Sequence, residues 1–216
     1  LKLRSLSFEH FFSALNQYHR ILTSSYVDAT NVSVTAASGT GVSADLQIVP
    51  QEINGLIAWM KLLETLCRVS PVVRNLFVEM PNWDCIKVLL GLLCCPVPIE
   101  LKGGIFRALA SFAMSSVIAK TLCEALSSTD ILGRSATGKL TGIQQELDTI
   151  ESQLEVYPVS SGFLYFFQTL FTHRVIVLYP AQALLPYLEY LLNSMLLCFT
   201  GRSYKSTQEM VTHDFF

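Results

Sequence analysis

The chain has 216 residues and a mass of 24.0 kDa, enough for one domain with a substantial core or at most two domains. Hydrophobic residues make up 51% of it and charged residues only 15%, against a usual value of about 25%, which excludes general disorder. The net charge of -2, from 15 Lys and Arg against 17 Asp and Glu, excludes a strongly basic surface, so we expect no direct nucleic-acid partner.

The low charge predicts burial against more protein rather than in a membrane. The most apolar window, residues 184–199, is interrupted by Pro186, Glu189 and Asn193 and falls short of the roughly 20 apolar residues of a membrane span. The chain begins without Met, and its first ten residues show no signal-peptide pattern. We therefore expect no membrane insertion and interpret the chain as part of a longer polypeptide.

The first helical pattern follows candidate N-caps at Ser5 and Ser7 and is predicted to end near Ser24. Residues 25–49 are rich in Ser, Thr, Ala, Gly and Val, and they predict a long flexible loop. Gly39, Gly41 and Ala44 have the spacing of a dinucleotide-binding turn, but no strand precedes them and no helix follows at once. A loop remains the interpretation of this segment.

A succession of helices is predicted between residues 50 and 126, with only short connections. Because the connections are so short, each helix is expected to double back on its neighbour as an antiparallel pair. The prolines fall at uneven intervals, which favours an irregular solenoid over a regular repeat. The predicted helix starts are Pro50 with Glu52 in the first turn, Ser70 with Pro71, Asn82 before Trp83, Pro98, and Ser116.

Residues 127–141 are polar and contain glycine, so they predict a linker between helices. The next pattern, Ile143, Leu147, Ile150 and Leu154, predicts an amphipathic helix with these residues buried. Its other face carries four carboxylates. We predict that this face is solvated and that its carboxyl pKa values are ordinary. The four carboxylates are Glu146, Asp148, Glu151 and Glu155.

Two further helices are predicted towards the end of the sequence. Ser160 or Ser161 is the expected N-cap of a helix over residues 163–171, and a break is predicted over residues 172–180. The last strong helical pattern covers residues 184–199 and is followed by a polar tail.

The cysteines and histidines do not indicate a metal site, because none of them stands at a zinc-ligand spacing. Most cysteines lie in apolar helical runs and are predicted to be reduced core residues. Each histidine is interpreted as a plain surface residue. These residues are Cys67, Cys85, Cys94, Cys95 and Cys123, and His10, His19, His173 and His213.

Trp59 and Trp83 are expected to pack inside the fold rather than to mark an exposed binding site, and Trp83 is expected to fold back on the preceding helix. We assign no catalytic, cofactor-binding or metal-binding residue, and we expect no cofactor.

Five blocks of sequence form a recognisable combination when they are taken in order. They are FEHFFSALNQYH at residues 8–19, EINGLIAWMKLLETL at 52–66, PNWDCIKVLLGLLCCPVPIELKGGIFRALASFA at 81–113, QQELDTIESQLEVYPVSSGF at 144–163 and PYLEYLLNSMLLCFTGRSYKS at 186–206. Their order and spacing resemble the large α-helical inner-ring scaffold nucleoporins of the nuclear pore complex. The segments 25–49 and 175–184 have no clear counterpart in that family.

The resemblance implies an all-α fold, an irregular α-solenoid of antiparallel helix pairs in which residues 1–216 form a single section of a much longer superhelix. It implies a structural, non-enzymatic scaffold at the nuclear pore in the nuclear envelope, which supports nucleocytoplasmic transport. The implied partners are other inner-ring and linker nucleoporins in a large multi-subunit assembly. The alternative is a soluble helical-repeat transport receptor or adaptor, for which we expect regular repeats of about 40 residues.

Overall fold

A computed structural model describes residues 7–32, 50–129, 131–132, 142–173 and 181–203, and these contain helices and turns but no strand. The all-α class is therefore confirmed. Among the described helices, none combines the length and the apolarity needed to cross a membrane. The first six are α1 (Phe8–Val32), α2 (Pro50–Val69), α3 (Pro71–Glu79), α4 (Cys85–Leu93), α5 (Ile99–Ala113) and α6 (Ser116–Ser127).

The later helices include two π-helical stretches. Helix α7, residues 143–154, is α-helical over Ile143–Glu146, π-helical over Leu147–Glu151 and closed by Ser152–Leu154. Helix α8 spans Pro158–Thr172. Helix α9, Ala181–Glu189, continues as the π-helical segment Tyr190–Leu196, and a 3₁₀ turn at Phe199–Gly201 follows.

Several helix boundaries follow from local sequence. Helix α2 begins at Pro50 with Glu52 in its first turn, as predicted. Helix α3 begins at Pro71, and the Ser70 hydroxyl accepts a hydrogen bond from the Val73 amide at 3.3 Å, which confirms the predicted cap.

Other boundaries differ from the sequence prediction. Helix α1 continues to Val32, so its predicted end near Ser24 is wrong, as is the start of the predicted loop at residue 25. The rest of that loop, residues 33–49, lies outside the described residues, as does most of the linker predicted at 127–141. Helix α8 begins at Pro158, because this residue has the backbone angle of a first helical turn, and Ser160 lies inside the helix.

Helix α4 begins at Cys85 rather than after Asn82. Asp84 occupies the N-cap position in the left-handed region, with φ 42° and ψ 38°, and its side chain makes no capping bond. The preceding turn places the Trp83 ring 5.3 Å from the Phe12 ring and 5.4 Å from the Phe77 ring. Packing of this indole therefore fixes where the helix starts, and the prediction that Trp83 folds back on α3 is confirmed.

The helices form two rows, and α5 lies in the middle of the first row and contacts the second. One row contains α2, α5 and α8, and the other links α1 to α4, α4 to α6, and α6 to α9. Helix α5 also contacts α4 and α6. The most extensive contacts join α5 to α2 and to α8, which are distant in sequence, so the strongest pairs are not the consecutive ones. Because α5 is covered on almost every side, most of its 15 residues are buried, and Glu100 in its first turn is exposed.

The crossing of α5 with α8 is a contact between two backbones. A Cβ added to Gly162 of α8 would lie 2.6 Å from the carbonyl oxygen of Gly103 in α5, and a Cβ added to Gly103 would collide with the carbonyl oxygen of Pro158. Only residues without a side chain allow this separation. Next to the crossing, the ring of Phe106 in α5 packs edge-on against the ring of Phe163 in α8, with ring centroids 5.6 Å apart.

A Gly162→Ala variant is expected to lose about 3 kcal/mol of unfolding free energy, because the added methyl group forces two backbones apart. Gly55→Ala is the matched control: it lies in α2 with open space around its Cα, so alanine there is expected to be neutral or to stabilise by up to about 1 kcal/mol. Urea denaturation followed by circular dichroism measures both. Equal effects of the two variants would contradict the backbone contact.

Candidate functional site

The N-terminus of α8 is capped by a buried carboxyl group from α7. Glu151 has 0% of its surface exposed. Its Oε1 accepts hydrogen bonds from the backbone amides of Val159 at 2.6 Å and Ser160 at 3.3 Å, and its Oε2 lies 2.5 Å from the Ser160 hydroxyl. These amides belong to the first turn of α8, where no helical carbonyl is available to them. Glu151 therefore joins α7 to α8 close to the crossing with α5.

Burial raises the pKa of Glu151 from its ordinary value of 4.5 to about 7. The hydrogen bonds from Ser160 and Val159 act in the opposite direction, and the neighbouring Glu146 adds a smaller increase. The prediction of an ordinary, solvated carboxylate at this position is therefore wrong.

The π-helical stretch of α7 explains the error. A π-helix has more residues in each turn than an α-helix, so its pattern of buried positions shifts along the sequence. Ile143 and Leu147 are buried as predicted, but Glu151 takes the next buried position. Ile150 and Leu154, predicted to be buried, are 40% and 46% exposed.

A buried ion pair joins α7 to α5. Lys102 is only 2% exposed, and its ammonium group donates a hydrogen bond to Oε1 of Glu146. Burial raises the pKa of Glu146, and the positive charge of Lys102 acts against this increase. The other oxygen of Glu146, Oε2, is buried and has no hydrogen-bond partner among the described residues. The negative charge of Glu146 is therefore balanced by the positive charge of Lys102.

The remaining two members of the predicted acidic face are more exposed. Asp148 forms an ion pair with Arg202 at 3.6 Å. Glu155 ends α7 in the left-handed conformation, with φ 57°. The four carboxylates thus divide into two that hold helices together and two on the surface.

Hydrogen bonds from tyrosines fasten the last helix to the rest of the fold. The Tyr187 hydroxyl donates to the carbonyl oxygen of Leu126 at 2.9 Å. The Tyr190 hydroxyl lies 3.5 Å from the carbonyl oxygen of Ile143. The Tyr157 hydroxyl donates to the Ser203 carbonyl oxygen at 2.8 Å.

Among the described residues, two open grooves lie on the surface. One, of about 840 Å³, runs along the polar face of α1 and is closed by Trp83 and Asp84. The other, of about 480 Å³, lies between α4 and α6 and has a largely apolar lining that includes Ile86, Leu90 and Ala125. Asp84 borders both grooves.

The histidines lie mostly at the surface. His10 and His173 are exposed, whereas His19 is half-buried and its ring lies close against Gly91 of α4. Burial, followed by the charge of Lys87, lowers the pKa of His19. His213 lies outside the described residues.

None of the six cysteines, all of which lie in the described part of the chain, forms a disulfide. Cys67, Cys85, Cys95 and Cys123 are buried as predicted, but Cys94 is exposed. Burial raises the pKa of both Cys67 and Cys85 to about 12. Within the described residues, no group of three or more His, Cys, Asp or Glu side chains is placed to hold a metal ion.

A Lys102→Met variant is expected to lose about 3 kcal/mol of unfolding free energy near pH 8, because it leaves the half-buried Glu146 without its counter-charge. Replacing Glu146 by Leu in the same chain is expected to restore part of the loss. Thermal unfolding of both single variants and the double variant gives the coupling energy.

The control is Lys120→Met, which removes one member of an exposed pair with Glu124 at 4.0 Å and is expected to change stability by less than about 1 kcal/mol. A loss for Lys102→Met no greater than that of the control would contradict the buried pair.

Residues 2–212 match the family model described as "Nuclear pore complex scaffold, nucleoporins 186/192/205". The chain is 32% identical over 211 residues to nuclear pore complex protein Nup205 of Homo sapiens, covering 94% of this chain and 10% of that protein. It is 29% identical over 213 residues to Nup205 of Drosophila melanogaster, covering 95% of this chain and 10% of that protein. The chain therefore spans about a tenth of the length of these curated relatives.

The family match extends over almost the whole chain, including both the α5–α8 crossing and the carboxyl cap of α8. It confirms the resemblance seen in the sequence blocks. The chain belongs to the Nup192 family of nuclear pore complex scaffold nucleoporins.

Proposed function

We propose that this chain is an architectural section of the nuclear pore complex, which supports nucleocytoplasmic transport by holding other subunits in place. The family match over residues 2–212 is the observation that carries the proposal. Both curated relatives are named as nuclear pore complex proteins. The proposed location is therefore the pore in the nuclear envelope, and the proposed partners are other inner-ring and linker nucleoporins.

The interior of the chain supports an architectural role. Its buried polar side chains hold helices against one another: the pair of Lys102 and Glu146 joins α5 to α7, and Glu151, whose carboxyl pKa is raised, joins α7 to α8. A shifted carboxyl pKa is often a sign of catalysis, but here the geometry explains the shift without a substrate. We propose that the chain has no enzymatic activity, no cofactor and no direct nucleic-acid contact.

Exposed apolar side chains support assembly with other protein. Val69 at the end of α2 and Val72 in α3 are 75% and 77% exposed, and Leu76 lies one turn further along α3. We call these three residues the α2–α3 apolar face. Covering such a face stabilises an assembly by about 25 cal/mol for each Å² removed from water. We propose that a neighbouring part of the scaffold covers it.

The organisation proposed for the chain is a single section of a larger α-solenoid. Further helices stacked on the two rows would extend them into a longer solenoid. A loop over residues 33–49 and a linker over 133–141 remain predictions from composition.

The alternative function is a soluble transport receptor or adaptor built from helical repeats. The family match does not favour it. The two functions differ in where the protein resides, because a scaffold is fixed at the pore whereas a receptor exchanges between compartments.

A fluorescently tagged form of the protein is expected to concentrate at the nuclear rim and to recover slowly after photobleaching, because scaffold subunits are held by many contacts at once. Affinity purification under mild conditions is expected to recover other nuclear pore subunits. A protein spread evenly through the cell, with fast recovery and no pore subunits bound, would favour the receptor or adaptor.

The α2–α3 apolar face gives a more specific test. A Val72→Glu, Leu76→Glu double variant is expected to reduce the recovery of pore subunits at least tenfold, because it places two charges in a contact that excludes water. Asn75→Glu is the matched control, since it adds a charge at an exposed polar position of the same helix. Circular dichroism establishes that the variants are folded. Equal recovery with the double variant and the control would show that this face is not an interface.

A further inference from the structure

The connection between α2 and α3 contains the dipeptide Ser70-Pro71. The chain has 8 prolines, and Pro71 alone among them follows a serine or a threonine. Proline-directed protein kinases transfer phosphate to a serine or threonine that precedes a proline. The sequence therefore offers such a kinase a single acceptor, Ser70.

The fold presents this dipeptide at the surface. The backbone of Ser70 is extended, with φ -121° and ψ 111°, which is the conformation that a following proline favours. Ser70 itself is partly exposed, and the two residues on each side of it are exposed: Arg68, Val69, Pro71 and Val72. The acceptor and its neighbours are therefore accessible in the folded chain.

The Ser70 hydroxyl is directed towards the first turn of α3, because its oxygen accepts a hydrogen bond from the Val73 amide at 3.3 Å. A phosphoryl group on this oxygen brings further acceptor oxygens to the same amides. Negative charge at the start of a helix is favourable. We therefore expect a phosphate on Ser70 to leave α3 folded.

Two arginines place positive charge at this connection. Arg68 is exposed in the last turn of α2. Arg74 is only 6% exposed, and its Nε donates to the carbonyl oxygen of Cys67 at 2.9 Å. Within the part of the chain that the structure describes, neither arginine has a carboxylate within ion-pair distance. A phosphate on Ser70 therefore adds negative charge where carboxylates do not already balance the positive charge.

Ser70 also lies inside the α2–α3 apolar face. Val69 directly precedes it and Val72 follows two residues later, and these side chains are 75% and 77% exposed. A phosphoserine carries about 1.5 to 2 negative charges at neutral pH. Because such a group holds its water strongly, an apolar surface that covers both valines would have to remove that water at a high cost.

We propose that Ser70 is a phosphorylation site for a proline-directed protein kinase, and that its phosphate prevents a neighbouring part of the scaffold from covering the α2–α3 apolar face. The site regulates the contact proposed above and so rests on the proposed function. In the reaction, the Ser70 oxygen forms a bond to the terminal phosphorus of ATP, the bond from that phosphorus to the oxygen of ADP breaks, and the hydroxyl proton passes to the kinase.

The phosphate acts before assembly. A neighbour that covers Val69 and Val72 also covers Ser70, which lies between them, so a kinase reaches this serine only while the face is free. Phosphorylation therefore keeps a free chain from assembling, and removal of the phosphate by a phosphatase allows assembly again.

Treatment of the tagged protein with a cyclin-dependent kinase and ATP, before it is mixed with other nuclear pore subunits, tests the site. Mass spectrometry is expected to locate phosphate on Ser70, and the recovery of pore subunits is expected to fall at least tenfold. Phosphatase treatment is expected to restore the recovery. Ser70→Asn is the matched control, because asparagine caps a helix about as well as serine but accepts no phosphate. Its recovery is expected to be the same with and without the kinase.

Circular dichroism separates loss of the contact from loss of the fold. The phosphorylated protein is expected to keep its helix content and to unfold at a temperature no lower than that of Ser70→Asn. A lower unfolding temperature together with reduced recovery would overturn the proposal, because the phosphate would then act by unfolding the section.

Two further outcomes would also overturn it: absence of phosphate from Ser70, and equal recovery for the phosphorylated protein and the kinase-treated Ser70→Asn variant. The Val72→Glu, Leu76→Glu double variant, measured alongside, shows whether the proposed function fails as well. Reduced recovery with the double variant alone would leave the α2–α3 apolar face as an interface that Ser70 does not regulate. Full recovery with both would remove the interface and its regulation together.

Discussion

The contact between the backbones of α5 and α8 is the constraint on which the other packing depends. Gly103 and Gly162 allow the two helices to approach until no side chain fits between them. This separation sets the positions of residues on both sides of the crossing. Lys102 immediately precedes Gly103, and the carbonyl oxygen of Pro158 lies against Gly103. The ion pair with Glu146 and the carboxyl cap on α8 are therefore held by the same crossing.

Two buried polar arrangements next to this crossing require a physical explanation, because burial of charge opposes folding. A well-packed apolar pair often gives as much stability as a buried ion pair, or more. The polar groups make the packing specific, because each hydrogen bond needs a particular partner. Glu151 accepts from groups at the start of α8, and Lys102 donates to Glu146 of α7. Apolar contacts alone would tolerate a shift of α7 along its axis, whereas these hydrogen bonds are lost if it shifts.

Features governed by neighbouring residues were predictable from the sequence. The cap of α3 depends on Ser70 and Pro71, and the sequence shows both residues. The buried face of α7 was predictable only as far as Leu147, because the π-helical turn changes the helical period and brings Glu151 to the buried side. The start of α4 depends on an aromatic cluster formed with a distant helix, and the row α2, α5, α8 depends on contacts that leave no periodic signal in a single sequence.

A scaffold requires that its exposed faces keep fixed positions relative to one another. In this structure the interior contacts between helices fix those positions, and the exposed apolar side chains are different residues. The α2–α3 apolar face lies at the end of α2 and along α3. Helix α2 packs against both α3 and α5, and α5 is joined to α8 through glycine. A change on the exposed face alters one contact of the assembly and leaves the fold intact. A change at the crossing moves α8 against α5 and so displaces the faces carried by the helices on both sides of it. Substitutions in the interior should therefore affect assembly over a wider area than substitutions on the surface, even at equal cost in stability.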